Sequence, residues 1–331
     1  MTDTFKAFVI AKGAEGQAQS ASWHEMGLSE LMDGDVTVRV RHTTMNYKDA
    51  LAITGTSPVV RRFPMVPGID LAGEVIASDS AEFAVGDEVI LNGWGVGETH
   101  LGGYAGIARI RSEWLLHKPE GLTGAQCMAI GTAGYTAALC VLRLQALGAS
   151  PAGGPVLVTG ASGGVGSFAV ALLAALGFEV HASTGKRSEG AYLKALGASQ
   201  ILDRAEFSEK GRPLGKERFA AAVDSVGGQT LANVLSVTRY GGAVAACGLA
   251  QGYDLPTTVM PFILRNVTLA GVDSVMADKA HRRAAWTLLT ERLDLGHLQQ
   301  ITAEFRPDEV EETARALLAG KIRGRMVMNI D

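Results

Sequence analysis

The stretch Val156-Leu157-Val158-Thr159-Gly160-Ala161-Ser162-Gly163-Gly164-Val165-Gly166 decides the fold: an apolar run enters a glycine-dense turn, and residues 165–176 then read as an alanine-rich helix. Short β-branched runs of this kind form buried parallel strands. The glycines let the backbone turn sharply and approach a ligand with no Cβ in the way. The first turn of the following helix directs its free N–H groups back at the glycines, so Ser162, Gly163, Gly164 and Val165 are expected to face a pyrophosphate. The pattern departs from G-x-G-x-x-G in having Ala161 at the first glycine position, followed by Gly163 and Gly166. A glycine-rich turn also serves plain strand-to-helix packing, so the surrounding segments have to decide.

Phe178-Glu179-Val180-His181-Ala182-Ser183 reads as a second strand, and its end lies about twenty residues past the turn, where the cofactor-choosing side chain belongs. An NAD site places Asp or Glu there for the ribose hydroxyls. This chain has Ser183-Thr184-Gly185-Lys186-Arg187. Hydroxyls and cations suit a 2′-phosphate, which a carboxylate would repel, so the segment predicts NADPH. The other reading of Lys186 and Arg187 is as solvated charges at a helix start, and even then the missing acid argues against NAD.

At 331 residues the chain suits two domains. Residues 1–124 are β-rich, with strand candidates at 5–10, 35–41, 73–77, 87–91 and 103–111 between Gly, Pro and Asp turns. From 125 to 274 strands alternate with helices, as a doubly wound α/β sheet requires, with later strands at 201–203, 220–224, 243–247 and 267–272. The tail, 275–331, carries helix-like stretches at 279–292 and 307–318 and a last strand near 326–330.

A net charge of −4 gives no electrostatic case for nucleic acid or an anionic membrane, and 6% aromatic content offers no stacking platform. No run of about 18 uninterrupted apolar residues occurs, and the N-terminal residues lack the basic-then-apolar order of a signal peptide. The expectation is a cytoplasmic protein without a membrane partner. Cys127, Cys140 and Cys247 lack metal-ligand spacing and read as buried thiols in a reducing compartment. The seven histidines form no i, i+4 pair and no triad with Ser and Asp, which leaves hydrolase chemistry unsupported.

Together with the cradle, Val66-Pro67-Gly68-Ile69-Asp70-Leu71-Ala72-Gly73-Glu74-Val75, Phe83-Ala84-Val85-Gly86-Asp87-Glu88-Val89, Gly131-Thr132-Ala133-Gly134-Tyr135-Thr136-Ala137 and Asp224-Ser225-Val226-Gly227-Gly228 carry a resemblance. Over essentially its whole length the chain resembles the medium-chain dehydrogenase/reductase superfamily, in which a GroES-like β-rich domain precedes a Rossmann domain and the tail returns to the first. More narrowly, Asn46-Tyr47-Lys48-Asp49, Cys247-Gly248-Leu249-Ala250, residues 255–265 and Gly271-Val272-Asp273-Ser274-Val275 look like the AcuI/YhdH group of NADPH-dependent acryloyl-CoA reductases. A catalytic zinc in this superfamily would need a thiolate or imidazole where Asn46 and Tyr47 stand, and Gly-His-Glu where the chain has Gly68-Ile69-Asp70. Isoleucine cannot ligate a metal, and residues 90–115 lack the cysteines of a structural zinc lobe, so no metal site is expected. Conjugate reduction needs no Lewis acid, because an activated C=C accepts hydride directly.

The resemblance implies hydride transfer to the acryloyl group of a CoA thioester, giving propanoyl-CoA. Tyr47 is the expected catalytic group, positioning substrate and relaying a proton, since a phenol can donate to developing thioester-oxygen charge; packing under the nicotinamide, with water as acid, is the alternative. Asn46 is expected to orient the thioester or the nicotinamide amide. Arg204 matches an adenosine-side contact of the group, with a solvated surface arginine as the alternative. Leu249, Ile263 and Ser274 are expected at the nicotinamide, core packing being the alternative for the two aliphatics. Arg323 is expected to close over the cofactor from the first domain, and Arg61 with Arg62 to meet the CoA phosphates unless they are plain surface charges. The apolar run 267–275 implies a homodimer paired edge to edge, or an edge covered within the monomer. A quinone or small-enone reductase, and a nucleotide-binding protein without catalysis, remain open as alternatives.

Overall fold

Six short apolar strands, all parallel, lie in the order Gln200–Asp203, Val180–Thr184, Val156–Val158, Phe219–Asp224, Thr238–Ala246 and Thr268–Gly271 in a computed structural model that describes residues 4–14 and 18–330. Counted along the chain this is the order 3-2-1-4-5-6, and the reversal between Val156–Val158 and Phe219–Asp224 is the switch point at which such sheets bind ligands. The central strand Val156–Val158 is buried on both faces, each of its residues being at most 1% exposed, which is why it reads as an uninterrupted apolar run. Helix Gly164–Ala175 is buried from Gly166 to Leu173, packed on its own strand and on helices Lys279–Arg292 and Leu295–Ile301.

That packing moves a boundary. The chain divides into one unit containing residues up to Thr132 and from Thr302 onward, and a second of Ala133–Ile301, where the sequence reading placed breaks at 124 and 274. Helices Lys279–Arg292 and Leu295–Ile301 pack against helix Gly164–Ala175 of the nucleotide sheet, and only the last thirty or so residues return to the first unit.

The first unit is a seven-stranded sheet in the order Thr302–Glu304, Arg325–Asn329, Val36–Met45, Asp70–Ser78, Glu88–Asn92 and Leu116–His117, with Ile107–Ile110 also pairing to Val36–Met45. A hairpin of Thr4–Ala11 and Ser20–Gly27 stands beside it. Strand Val36–Met45 alternates buried and half-buried residues over its first half and becomes wholly buried at Thr43, Thr44 and Met45. Helix Tyr47–Thr54 follows directly and packs on helix Val310–Leu318.

Two sequence expectations change. The run 103–111 shortens to Ile107–Ile110, because the amides of Gly103 and Tyr104 donate to the carbonyls of Gly68 and Pro67 at 2.9 and 3.0 Å. The apolar run 267–275 is strand only over Thr268–Gly271, since Asp273 turns the chain by accepting from Val275 N at 2.7 Å. Finally, helix Gly124–Ala146 is long and apolar enough to cross a membrane, yet it is mostly buried, and at Gly131 (φ 49°, ψ −161°) its backbone leaves the helix altogether.

Candidate functional site

In the second unit, Gly160 (φ 59°) makes the turn that leaves strand Val156–Val158, and a Cβ there would stand 2.6 Å from Ser225 Oγ. The conformational glycine is thus one residue before the position Ala161 fills, which explains how the chain dispenses with a glycine at 161. Gly166 lets helix Gly164–Ala175 press on Gly160, whose carbonyl oxygen a Cβ at 166 would strike. With Gly163 as N-cap, the amides of Gly164 and Val165 lie in the first helical turn, where an anion is favoured.

Asp224 clasps the switch point from below. It is fully buried, accepts from Thr159 Oγ1 at 2.7 Å and from Gly227 N at 2.8 Å, and burial raises its pKa.

At the end of strand Val180–Thr184, the hydroxyls of Ser162 and Thr184 share a hydrogen bond at 3.0 Å, and Lys186 N donates to Thr184 Oγ1 at 3.1 Å. Ser183 is buried there. Gly185 leaves room for the Arg204 guanidinium, which a Cβ at 185 would strike. Arg187 stands in an exposed ion pair: its Nε and Nη2 donate to Asp203 Oδ2 at 3.1 and 2.7 Å. Solvent screens such a pair, so it adds little to stability. Leu249 and Ile263 are 60% and 70% exposed, which rules out core packing for both. Ser274 is half-buried and its carbonyl accepts from Arg282 Nη2 at 3.3 Å.

In the first unit, the residues where the superfamily's metal would be ligated form a closed hydrogen-bond network. Asp70, fully buried, accepts from Asn46 Nδ2 and Thr132 N on Oδ2, both at 2.8 Å, and from Asn92 Nδ2 at 2.8 Å and Thr132 Oγ1 at 2.5 Å on Oδ1. Arg325, 4% exposed, donates to Asn46 Oδ1 at 3.0 Å, Thr44 Oγ1 at 2.8 Å and the Ala129 carbonyl at 3.2 Å, with Nη2 3.9 Å from Asp70. Burial lowers the pKa of its guanidinium while Asp70, Asp49 and Tyr104 raise it. A Cβ on Gly131 would lie 2.6 Å from Arg325 Nη2 and 2.8 Å from Asp70 Oδ2, so the helix break at Gly131 is what lets Thr132 reach the carboxyl.

Asn46 has its oxygen on Arg325 and an N–H on Asp70, and it is 5% exposed. Tyr47, the first residue of the helix, is 43% exposed. Arg61, Arg62 and Arg323 are all exposed in this unit.

Two family descriptions match the chain: "Alcohol dehydrogenase GroES-like domain" over residues 32–120 and "Zinc-binding dehydrogenase" over residues 164–291. The Escherichia coli K12 protein named probable acrylyl-CoA reductase AcuI is 51% identical over 311 residues, 94% of this chain and 96% of that one. The acrylyl-CoA reductase AcuI of Ruegeria pomeroyi is 46% identical over 328 residues, 99% of both chains. The crystal structure of the YhdH oxidoreductase from Salmonella enterica in complex with NADP has a TM-score of 0.96 and 50% identity, covering 98% of this chain and 100% of that one. The chain belongs to the medium-chain dehydrogenase/reductase superfamily, AcuI/YhdH group.

The sequence reading named Asn46 and Tyr47 and gave no role to Asp49, which ties the start of their helix to the network. Asp49 accepts from Asn46 N at 2.9 Å and Ile69 N at 3.0 Å, joining the helix start to the Gly68-Ile69-Asp70 segment. Burial raises its pKa from 3.8 to about 7, the Asn46 amide opposing and the Asp70 charge adding to the shift. Between those two values the folded chain holds a proton that the unfolded chain has lost, so this group's contribution to stability falls as pH rises through the window. In thermal melts at a series of pH values, Asp49→Asn should gain on the wild type as pH rises from about 5 to about 8. A pH-independent difference would show that Asp49 does not titrate there.

Proposed function

We propose that this chain reduces the C=C bond of acryloyl-CoA to propanoyl-CoA with NADPH. The observation that carries the reading is the likeness to the AcuI reductases, which at 51% identity over 311 residues includes both units. The cofactor fits the second unit: a glycine turn that admits no Cβ, two amides in a helical first turn, and Arg204 lying across Gly185 with no carboxylate at Ser183 or Thr184. Ser162, Gly163, Gly164 and Val165 would hold the pyrophosphate, Ser183, Thr184, Gly185, Lys186 and Arg204 the 2′-phosphate, and Leu249, Ile263 and Ser274 the nicotinamide, with Arg323 closing the site. Bound there, the cofactor supplies hydride to the terminal carbon of the acryloyl group.

The chain's own residues do the rest. Tyr47, exposed at a helix start fixed by Asn46 and Asp49, donates a hydrogen bond to the thioester oxygen as charge builds there, and its phenol or water gives the proton to the α-carbon. Arg61 and Arg62 take the CoA phosphates. The protein works in the cytoplasm as a homodimer: among the described residues strand Thr268–Gly271 has a sheet neighbour on one side only, and Val259 and Leu264 shortly before it are 64% and 54% exposed.

NADPH consumption with acryloyl-CoA, crotonyl-CoA and a quinone in parallel tests the reading, for wild type and for Tyr47→Phe. Turnover of acryloyl-CoA is expected, with kcat for Tyr47→Phe lower by about tenfold or more. Quinone turnover alone would replace the substrate, and no turnover would leave a nucleotide-binding protein. A Tyr47→Phe kcat within about threefold of wild type, under ~1 kcal/mol of barrier, removes Tyr47 as the acid.

A further inference from the structure

The loop after the last parallel strand is held from inside by a buried cation. Arg282, on helix Lys279–Arg292, is 2% exposed. Its Nε donates to the Ala277 carbonyl at 2.7 Å, and its Nη2 to those of Val275 and Ser274 at 2.7 and 3.3 Å. The guanidinium carbon lies 5.2 Å from the ring centroid of Tyr135, a wholly buried residue. On the solvent side, Asp273 accepts from Val275 N at 2.7 Å and from Met276 N at 3.4 and 3.3 Å on its two oxygens. The loop enters through Val272 N on the Ala246 carbonyl at 2.9 Å and leaves at Asp278, whose side chain caps the helix through His281 N at 2.8 Å.

An exposed loop gains little by turning three carbonyls inward, since water satisfies them outside. A guanidinium removed from water, however, needs acceptors, and carbonyls plus an aromatic face supply them at low entropy cost because its donors form a rigid fork. The arrangement fixes residues 273–278 at both faces. Its place in the sheet gives the consequence: strand Thr268–Gly271 is the sixth in a 3-2-1-4-5-6 order, so this loop leaves the carboxyl end of the half that takes the second mononucleotide of a dinucleotide.

We infer that Arg282 is a positioning residue for the nicotinamide end of the cofactor site, fixing the Ser274 loop in its binding conformation before cofactor arrives. The inference rests on the NADPH reading above. Ordering done in the folded protein is not charged against binding, so loosening the loop should weaken the nicotinamide half and leave the adenosine half alone.

The test is equilibrium titration of the full-length protein with two probes, NADPH and adenosine 2′,5′-bisphosphate, which lacks the nicotinamide half. Arg282→Lys and Asp273→Ala are compared with wild type; Asp273 is exposed, so its variant keeps the test alive if Arg282→Lys does not fold. Both variants should raise the Kd for NADPH by about tenfold and that for the bisphosphate by less than about twofold. Amide hydrogen exchange over residues 272–278 should quicken in parallel. Equal weakening of the two probes, or NADPH binding within about twofold of wild type in both variants, would overturn the inference. Failure of wild type to bind NADPH while still binding the bisphosphate would bring down the cofactor reading, and this inference with it.

Discussion

Asp70→Ala is expected to destabilise the first unit by about 3–5 kcal/mol, more than any other single change considered. The carboxyl is the shared acceptor of four donated hydrogen bonds from Asn46, Asn92 and Thr132, and it lies 3.9 Å from the buried Arg325 guanidinium. Alanine removes all of these at once. Arg325 then keeps a buried charge with its nearest counter-charge gone, and that residual desolvation is the larger part of the loss. Truncating Arg325 instead leaves the four donors on Asp70 in place, so Arg325→Met should cost less. Urea unfolding of both variants, followed by near-UV circular dichroism, gives the comparison. A loss under about 1 kcal/mol for Asp70→Ala would show that the network contributes little. The same variant should lose activity beyond its loss of stability, because Asn46 hangs on Asp70 and Tyr47 follows Asn46 in the chain.

The contrast between the two units in legibility has a physical cause. The cradle was readable because its parts are local: strand, turn and helix start lie within residues 156–166, and the residue that selects the phosphate is fixed by one helix length. The network around Asp70 gathers residues as far apart as Thr44 and Arg325, and nothing in a strand reading Arg-Met-Val-Met-Asn announces that its arginine points inward. Gly131 carried the one local signal, a glycine inside an otherwise helical pattern, and its use follows only from the contact it permits with Asp70 and Arg325. Strand Ser20–Gly27 was missed for a related reason: it is mostly exposed, so it has no apolar alternation to read. Nothing in the sequence shows that Arg187 pairs with Asp203 or that Arg204 lies across Gly185, because both contacts join residues from different strand ends.

Arg204→Ala should therefore weaken NADPH specifically. Its guanidinium lies over Gly185 at the end of strand Val180–Thr184, where the adenosine ribose of a dinucleotide belongs, while the neighbouring Arg187 is tied to Asp203 at 2.7 Å. A charge-assisted contact to phosphate is worth about 1.5–3 kcal/mol, so KM for NADPH should rise roughly 10- to 150-fold. NADH has no 2′-phosphate to lose, and its kcat/KM should stay within about twofold, moving the preference between the two cofactors by nearly the whole effect. Gly185→Ala supplies an independent arm. It keeps the charge but pushes the guanidinium off the strand end, and it should reproduce part of the loss with the same cofactor selectivity. Arg187→Ala should change either cofactor by less than about threefold, since it removes an exposed ion pair and no phosphate ligand. If Arg204→Ala impairs NADH as much as NADPH, Arg204 supports the fold of the strand end and does not read the phosphate. If Arg187→Ala carries the NADPH loss instead, the Asp203 pair opens on binding and the two arginines exchange roles.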